Sequence, residues 1–252
     1  MLDPIVKWAG GKSWLELPKH TGTWIEPFAG GAAQFFKKRP ARAILCDKNA
    51  HLMNMYAQVR DDYSLIQGLL PEAVETDLKY KALRAEFNEG PPGTPHHASL
   101  FLTLNRTCFN GLWRENKKGE FNVPWCKDPK RPIQRDLKAH SAALQEVALG
   151  CGDFSLATGC ALPGDTVYMD PPYYETFDDY QAGGFSMEDH ARLAIEARRL
   201  RALGCQVWIS YNDHPSIRAL YHDWTIEKRE APRGIKGGRS SAPELLITSD
   251  RL

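Results

Sequence analysis

Several short apolar runs punctuate the chain, and each stops at a polar or turn-forming residue. Thr23–Glu26 leads into Pro27-Phe28-Ala29-Gly30-Gly31, Ala43–Cys46 stops at Asp47, Thr166–Met169 at Asp170, and Gln206–Ser210 at Tyr211-Asn212-Asp213. Glu244–Ser249 supplies a late strand. Brief, nearly continuous apolar runs of this kind suit strands covered on both faces of a parallel sheet. Before Gln206, Ser186-Met187-Glu188-Asp189 resembles a capping box, and the helix it opens is broken after Leu203 by Gly204. Strand, helix and strand at this spacing predict a right-handed crossover in a mostly parallel α/β sheet. Functional groups then gather at the carboxyl ends of the strands, where Asp47 and Asp170 fall.

The middle of the chain breaks this rhythm. Residues from about Asn54 to Ser141 hold helix-like segments, a loop at Gly90-Pro91-Pro92-Gly93 and a polar, aromatic stretch from Asn105 to Trp125. Within that stretch, Asn116-Lys117-Lys118-Gly119 sits between Leu112-Trp113 and Phe121-Asn122-Val123, as a hairpin turn does. The expected organisation is an α/β domain built from 1–53 and 142–252, interrupted by an insertion at 54–141 with its hairpin at about 105–125.

Charge sharpens the contrast. The 252 residues carry 32 Lys plus Arg against 31 Asp plus Glu, a net charge of +1. A coat of one sign is excluded, but a local basic face is not. Nine basic residues oppose four acids between Asn105 and Lys138, leaving +5 there. With Asn, Phe, Trp and Leu interleaved, that surplus points to a nucleic-acid partner. The six cysteines form no C-x-x-C pair and have no His cluster beside them, so neither a zinc site nor a disulfide framework is expected. Charged Lys7 comes early, with no apolar leader core, and no uncharged run reaches the about 18 residues of a membrane span. The expectation is a cytoplasmic protein with reduced thiols.

The sharpest chemical signal is Asp170-Pro171-Pro172-Tyr173, directly after an apolar run. A carboxylate, a carbonyl held in one direction by proline and an aromatic ring suit an exocyclic amino group on a flat base. Such an amine is a poor nucleophile because its lone pair is delocalised into the ring. Hydrogen bonds to Asp170 and the Pro171 carbonyl favour a pyramidal, more reactive nitrogen, while Tyr173 stacks on the base. Two prolines limit backbone motion at little entropic cost. Glu26-Pro27-Phe28-Ala29-Gly30-Gly31-Ala32 is a second signal: its glycines permit a tight turn and close ligand approach. Asp47, at the next strand end, is placed to bind ribose hydroxyls. A third, Lys7-Trp8-Ala9-Gly10-Gly11-Lys12-Ser13, superficially matches a phosphate-binding P-loop. Val6 stands where that motif needs glycine and no strand precedes it, so a nucleoside triphosphatase is excluded. A glycine turn presenting Trp8 and Lys12 to a bound nucleoside fits better.

In this order, the motifs resemble those of the Dam-type N6-adenine DNA methyltransferases (D12 class, alpha group). The resemblance covers essentially the whole chain, including Asn105-Arg106, Phe109–Arg114, Gly119–Pro124, Gly152-Asp153-Phe154 and Glu244–Thr248. It implies a Rossmann-like sheet that uses S-adenosylmethionine, with an inserted helical and hairpin DNA-recognition domain. It also implies that Trp8, Lys12, Phe28, Gly30, Asp47 and Asp170 line the methyl-donor site, with Asp47 on the ribose and Asp153 and Phe154 along the adenine. Asp170, Pro171, Pro172 and Tyr173 become the transfer site. Asn110 and Leu112 match residues near the displaced base pair, Arg114 and Pro124 match residues facing the recognised bases, and Lys7, Lys117 and Lys118 reach DNA. The implied partner is double-stranded DNA, with GATC as target, in a bacterial nucleoid or phage-infected cell; no metal is implied, and a monomer is expected. Two departures stand out: Ala32 occupies a position where the family commonly has glycine, and Lys127–Arg135 diverges from the family pattern.

Overall fold

The structure is a computed structural model that describes residues 2–127, 133, 136–174, 184–230 and 244–249. Asp128, Lys130, Arg131 and Arg135, which enter the charge count above, lie outside the described residues. The chain packs as two compact units. The first comprises 1–13, 30–39 and 47–152, the second 14–29, 40–46 and 153–252.

The second unit is an α/β layer structure. Its strands are β1 (Trp24–Glu26), β2 (Ala43–Asp47), β4 (Thr166–Met169), β5 (Gln206–Asn212), β6 (Thr225–Arg229) and β7 (Glu244–Thr248), and they run in the order β2-β1-β4-β5-β7-β6. β1 pairs in parallel with β2 and β4, and β4 with β5; β7 is antiparallel to both β5 and β6. Alternation along each strand sends Ile25, Val167, Met169, Ile209 and Tyr211 into one buried cluster. Trp24, Tyr168 and Trp208 pack together, with ring centroids 6.1 and 6.0 Å from Trp24. The cluster is closed by α6 (Phe154–Thr158), α7 (Met187–Leu203) and α8 (Pro215–Leu220). α7 starts at the expected capping box, with Ser186 and Asp189 exchanging side-chain and backbone bonds, and ends at Gly204 with φ 92°. The apolar runs thus become the strands they predict. β6 was not predicted, because Thr-Ile-Glu-Lys-Arg is an edge strand whose charges reach water.

The first unit holds α1 (Ala33–Lys38), α2 (Ala50–Leu69), α3 (Asp77–Glu89), α4 (Pro95–Thr107), α5 (Lys138–Leu144) and the unpredicted strand β3 (Val147–Cys151). Asn49, Thr76 and Thr94 cap α2, α3 and α4 by accepting backbone N–H bonds, and Pro95 pre-sets the first turn of α4. Every residue of α4 from His97 to Thr107 is buried, Asn105 and Arg106 included. Buried polar groups must be bonded to be tolerated. Arg106 donates to the carbonyls of Pro4 and Ile5, which ties the N-terminal segment to this helix.

Buried His97 and half-buried His51 share one bond here: His51 Nδ1 lies 2.7 Å from His97 Nε2, and the His97 ring stacks on Phe87 at 4.3 Å. Burial, followed by the charge of His51 and of His96, pushes His97 down to about 4. Burial also lowers His51. Below the ordinary histidine value the unfolded chain therefore binds more protons than the folded one, so this contribution is complete above pH 6.5 and is lost as pH falls from 6.5 toward 4. Urea midpoints measured between pH 7 and pH 4 are expected to show a loss of roughly 2–3 kcal/mol. His97→Gln flattens that slope; an equally steep profile in the variant would exclude the pair as its origin.

Candidate active site

In the first unit, the Lys7–Ser13 segment turns tightly, with Gly11 N–H donating to the Trp8 carbonyl at 3.3 Å and Gly10 at φ 74°. Lys12 is buried; its ammonium donates to the Gly10 carbonyl, and its own carbonyl accepts from Gln34 Nε2 at 2.6 Å. Trp8 is half-buried. Its ring stacks on Trp113 at 6.3 Å and tilts against Phe101 at 6.5 Å.

The glycine loop packs against Trp8 itself. Gly30 sits at φ +46°, and a Cβ there would come within 2.7 Å of the Trp8 indole; at Gly31 it would come within 3.2 Å of Trp8 Cβ. The space that glycine supplies is thus filled by Trp8 from within the chain, whereas close approach of a ligand is the expectation from sequence. Ala32, also left-handed at φ 49°, starts α1 in the conformation that glycine adopts at least cost. Gly30 donates to Asp47 Oδ2 at 2.9 Å, and its carbonyl accepts from Tyr56 at 2.8 Å. Asp47 Oδ1 accepts from Asn49 N–H at 2.9 Å. Burial raises the Asp47 carboxyl above the ordinary range, although the N–H groups of Asn49, Gly30 and Lys48 oppose that rise. Each carboxylate oxygen accepts one of these bonds and has a second lone pair.

The hairpin belongs to the same unit. Asn116 N–H donates to the Glu120 carbonyl at 2.9 Å and Gly119 N–H to Asn116 at 2.9 Å, which makes 116–119 the expected turn; Lys117 and Lys118 are exposed on it. Asn88 of α3 exchanges two bonds with the Phe121 backbone, at 3.0 and 2.9 Å, and Tyr80 donates to the Val123 carbonyl at 2.8 Å. Arg114 is exposed, and its guanidinium is aimed by Asn122, whose side-chain and backbone oxygens accept at 2.6 and 3.3 Å. Asn110, at φ 57°, accepts from the Lys7 ammonium. Leu112 is half-buried and Pro124 is exposed, its carbonyl accepting from Phe109 N–H at 2.8 Å.

In the second unit, Phe28, Phe154 and Phe185 form a triangle with centroids 5.6, 5.6 and 6.2 Å apart. Asp153 caps α6 by accepting from Ser155 N–H at 3.1 Å, and pairs with Arg192 at 3.0 Å. The Arg192 guanidinium lies 5.0 Å from the Phe154 ring centre. Burial would raise Asp153, but the bonds from Ser155 and Arg192 outweigh it and hold the carboxyl low. Asp170 follows the last residue of β4, with Pro171 buried beside it and Tyr173 half-buried, 6.4 Å from Tyr211. Tyr173 is pushed far above its ordinary value by burial first, then by the charges of Asp170 and Glu244 and a bond with Glu244. Tyr168, bonded to Ser210 at 2.8 Å, is raised by burial and then by Asp170. Both phenols therefore stay neutral beside Asp170 at any physiological pH.

The sequence reading missed Tyr56, Arg192 and Glu244 as site residues, because each reaches its partner across tens of residues. Among the described residues, no group of three or more His, Cys, Asp or Glu could hold a metal ion, and no helix is long and apolar enough to cross a membrane.

Residues 8–235 match the family model of the D12 class N6 adenine-specific DNA methyltransferases. The chain is 34% identical to the type II methyltransferase M1.LlaDCHI of Lactococcus lactis subsp. cremoris over 98% of its length and 95% of that protein. It is 32% identical to the retron Ec67 DNA adenine methylase of Escherichia coli, covering 98% and 92%, respectively. With the DNA adenine methylase of Vibrio cholerae serotype O1 it shares 31% identity over 96% and 94%.

Proposed function

Since the chain belongs to the D12 class of N6 adenine-specific DNA methyltransferases, we propose that it moves a methyl group from S-adenosylmethionine to N6 of an adenine flipped out of a GATC site in duplex DNA. The observation that carries this reading is Asp170-Pro171-Pro172-Tyr173 at the carboxyl end of β4, with its carboxylate beside neutral phenols.

The residues fit the donor. Asp47 has lone pairs for two adjacent hydroxyls, and the rings of Phe28, Phe154 and Phe185 offer an apolar surface to a purine. In this reading Trp8, Lys12, Phe28, Gly30, Asp47, Asp153, Phe154 and Asp170 hold it, and S-adenosylhomocysteine is the product. When bound, it supplies an electrophilic sulfonium methyl. The protein's task is then to present the amine. Tyr173 stacks on the extruded base and offsets the few kcal/mol that unstacking costs. Asp170 and the Pro171 carbonyl accept the two N6 hydrogens, directing the lone pair outward, and Pro172 stiffens the loop. Asp170 also stabilises the positive charge that develops on N6, and the methylated amine then releases one proton to solvent to give the neutral base. Alignment of the two substrates supplies much of the remaining acceleration.

Residues 54–141 form the recognition insertion of this proposal, and 1–53 with 142–252 the catalytic part. Arg114, held by Asn122, makes a bidentate contact with guanine in the major groove. Pro124, Leu112 and Asn110 face neighbouring bases, and Lys7, Lys117 and Lys118 contact the strand. The protein works as a monomer in the cytoplasm.

Incubation with labelled donor and duplexes differing only at one GATC is expected to give N6-methyladenine from the intact site alone, read by mass analysis of digested nucleosides. N4-methylcytosine, equal labelling of every duplex, or transfer to RNA in place of DNA would refute the assignment.

A further inference from the structure

We propose that Trp113 is a positioning residue that couples methyl-donor binding to engagement of the DNA hairpin, through its stack on Trp8. The inference rests on the function proposed above and adds a specific path between its two substrates. Three contacts compose it, all within the first unit. Asp47 accepts the Gly30 N–H at 2.9 Å. Gly30 lies against the Trp8 indole so closely that even a methyl group would collide with the ring. On its hairpin side Trp8 stacks on Trp113 at 6.3 Å and 19°. Trp113 stands between Leu112 and Arg114, two of the residues assigned to base recognition.

A parallel connection makes the two segments one body. Asn105 accepts the Lys7 N–H at 2.9 Å and donates to the Lys7 carbonyl at 2.8 Å, while the Lys7 ammonium reaches Asn110. Gly111, at φ +63°, has no room for a Cβ, which would fall 2.7 Å from Lys7 Cβ. The residue before Trp8 is thus clamped to the hairpin base, and the ring of Trp8 lies on the hairpin's own tryptophan. Phe101, Phe121 and His51 surround Trp113 at 5.2, 5.1 and 5.4 Å, so its ring has little freedom to move independently. Donor contacts that fix Asp47, Gly30 and Trp8 therefore fix the backbone that carries Arg114, and DNA that fixes Arg114 orders the donor site. Thermodynamic linkage makes the effect equal in both directions.

The test measures the dissociation constant of a GATC duplex with and without saturating S-adenosylhomocysteine, and that of S-adenosylhomocysteine with and without duplex. The native protein is expected to show tighter binding of each by the same factor, on the order of tenfold. Trp113→Leu brings that factor to within about twofold of unity while each ligand alone still binds. Trp113→Phe, with a smaller ring, gives an intermediate factor and decides the matter if the leucine variant does not fold. Phe121→Leu trims another ring packed against Trp113 and loses stability but keeps the native factor, which separates coupling from mere packing. An unchanged factor in Trp113→Leu or Trp113→Phe overturns the proposal, as does a native factor of one. A native protein that binds neither ligand overturns the function proposed above instead.

Discussion

Asp170→Ala is expected to abolish methyl transfer, lowering the rate at saturating donor and DNA at least about 1,000-fold, within the range that positioned acid–base and charge-stabilising groups supply. Neither neighbouring phenol can substitute. Tyr168 and Tyr173 are held neutral by burial and by Asp170 itself, so neither provides an anionic acceptor when the carboxylate is gone. Pro171 and Pro172 carry no N–H and keep their own backbone constraint, so the loop retains its course. Duplex affinity, carried by the hairpin and its basic residues, stays within about threefold of native. Asp170→Asn retains one carbonyl acceptor and falls between the native protein and the alanine variant. Single-turnover transfer together with fluorescence anisotropy on a labelled duplex separates the two effects. Turnover of Asp170→Ala within tenfold of native would remove this carboxylate from the chemistry.

The second large effect falls on Asp47. Its two oxygens organise the chain locally: one holds Gly30 N–H and the other Asn49 N–H, and Asn49 in turn caps α2 through Leu52 N–H. The position is unfavourable for a charge, as the burial-driven rise of its carboxyl shows. In the function proposed above, the same carboxylate also holds the donor's hydroxyls. Asp47→Ala removes two charge-assisted bonds to donor hydroxyls, each worth about 1.5–3 kcal/mol, so donor affinity should fall at least about 100-fold by calorimetry. Stability should drop less, by about 1–3 kcal/mol, because relief of the buried charge offsets part of the cost of two unmet N–H groups. Asp47→Ala binding donor within fivefold of native would show that the side chain only shapes the glycine loop.

The strand ends were legible from the chain because they depend on local pattern. Four apolar runs stop at the residues where β1, β2, β4 and β5 deliver the glycine loop, Asp47, Asp170 and Asn212. Ser186 and Asp189 announced α7, since a capping box is a contact three residues long. Asn116–Gly119 announced the hairpin turn for the same reason. Strand β6 left no comparable trace, because it carries three charged side chains at a sheet edge. β3 is apolar, Val-Ala-Leu-Gly-Cys, but it contains a glycine, ends in no polar residue and alternates poorly between buried and exposed positions, so its run does not read as a strand.

By itself, then, the sequence determined the α/β class, the succession of motifs and the identity of the acid at each strand end, all of which follow from neighbours within a few positions. Only the tertiary structure decided what those motifs touch. It filled the room beside Gly30 with Trp8, set Trp113 on the other side of that ring, clamped Lys7 through Asn105 and laid Arg192 over Phe154. Most of these partners are separated by tens to about a hundred residues, and local propensity says nothing about such pairs. They meet because packing must bury the aromatic surface and satisfy the buried polar groups together.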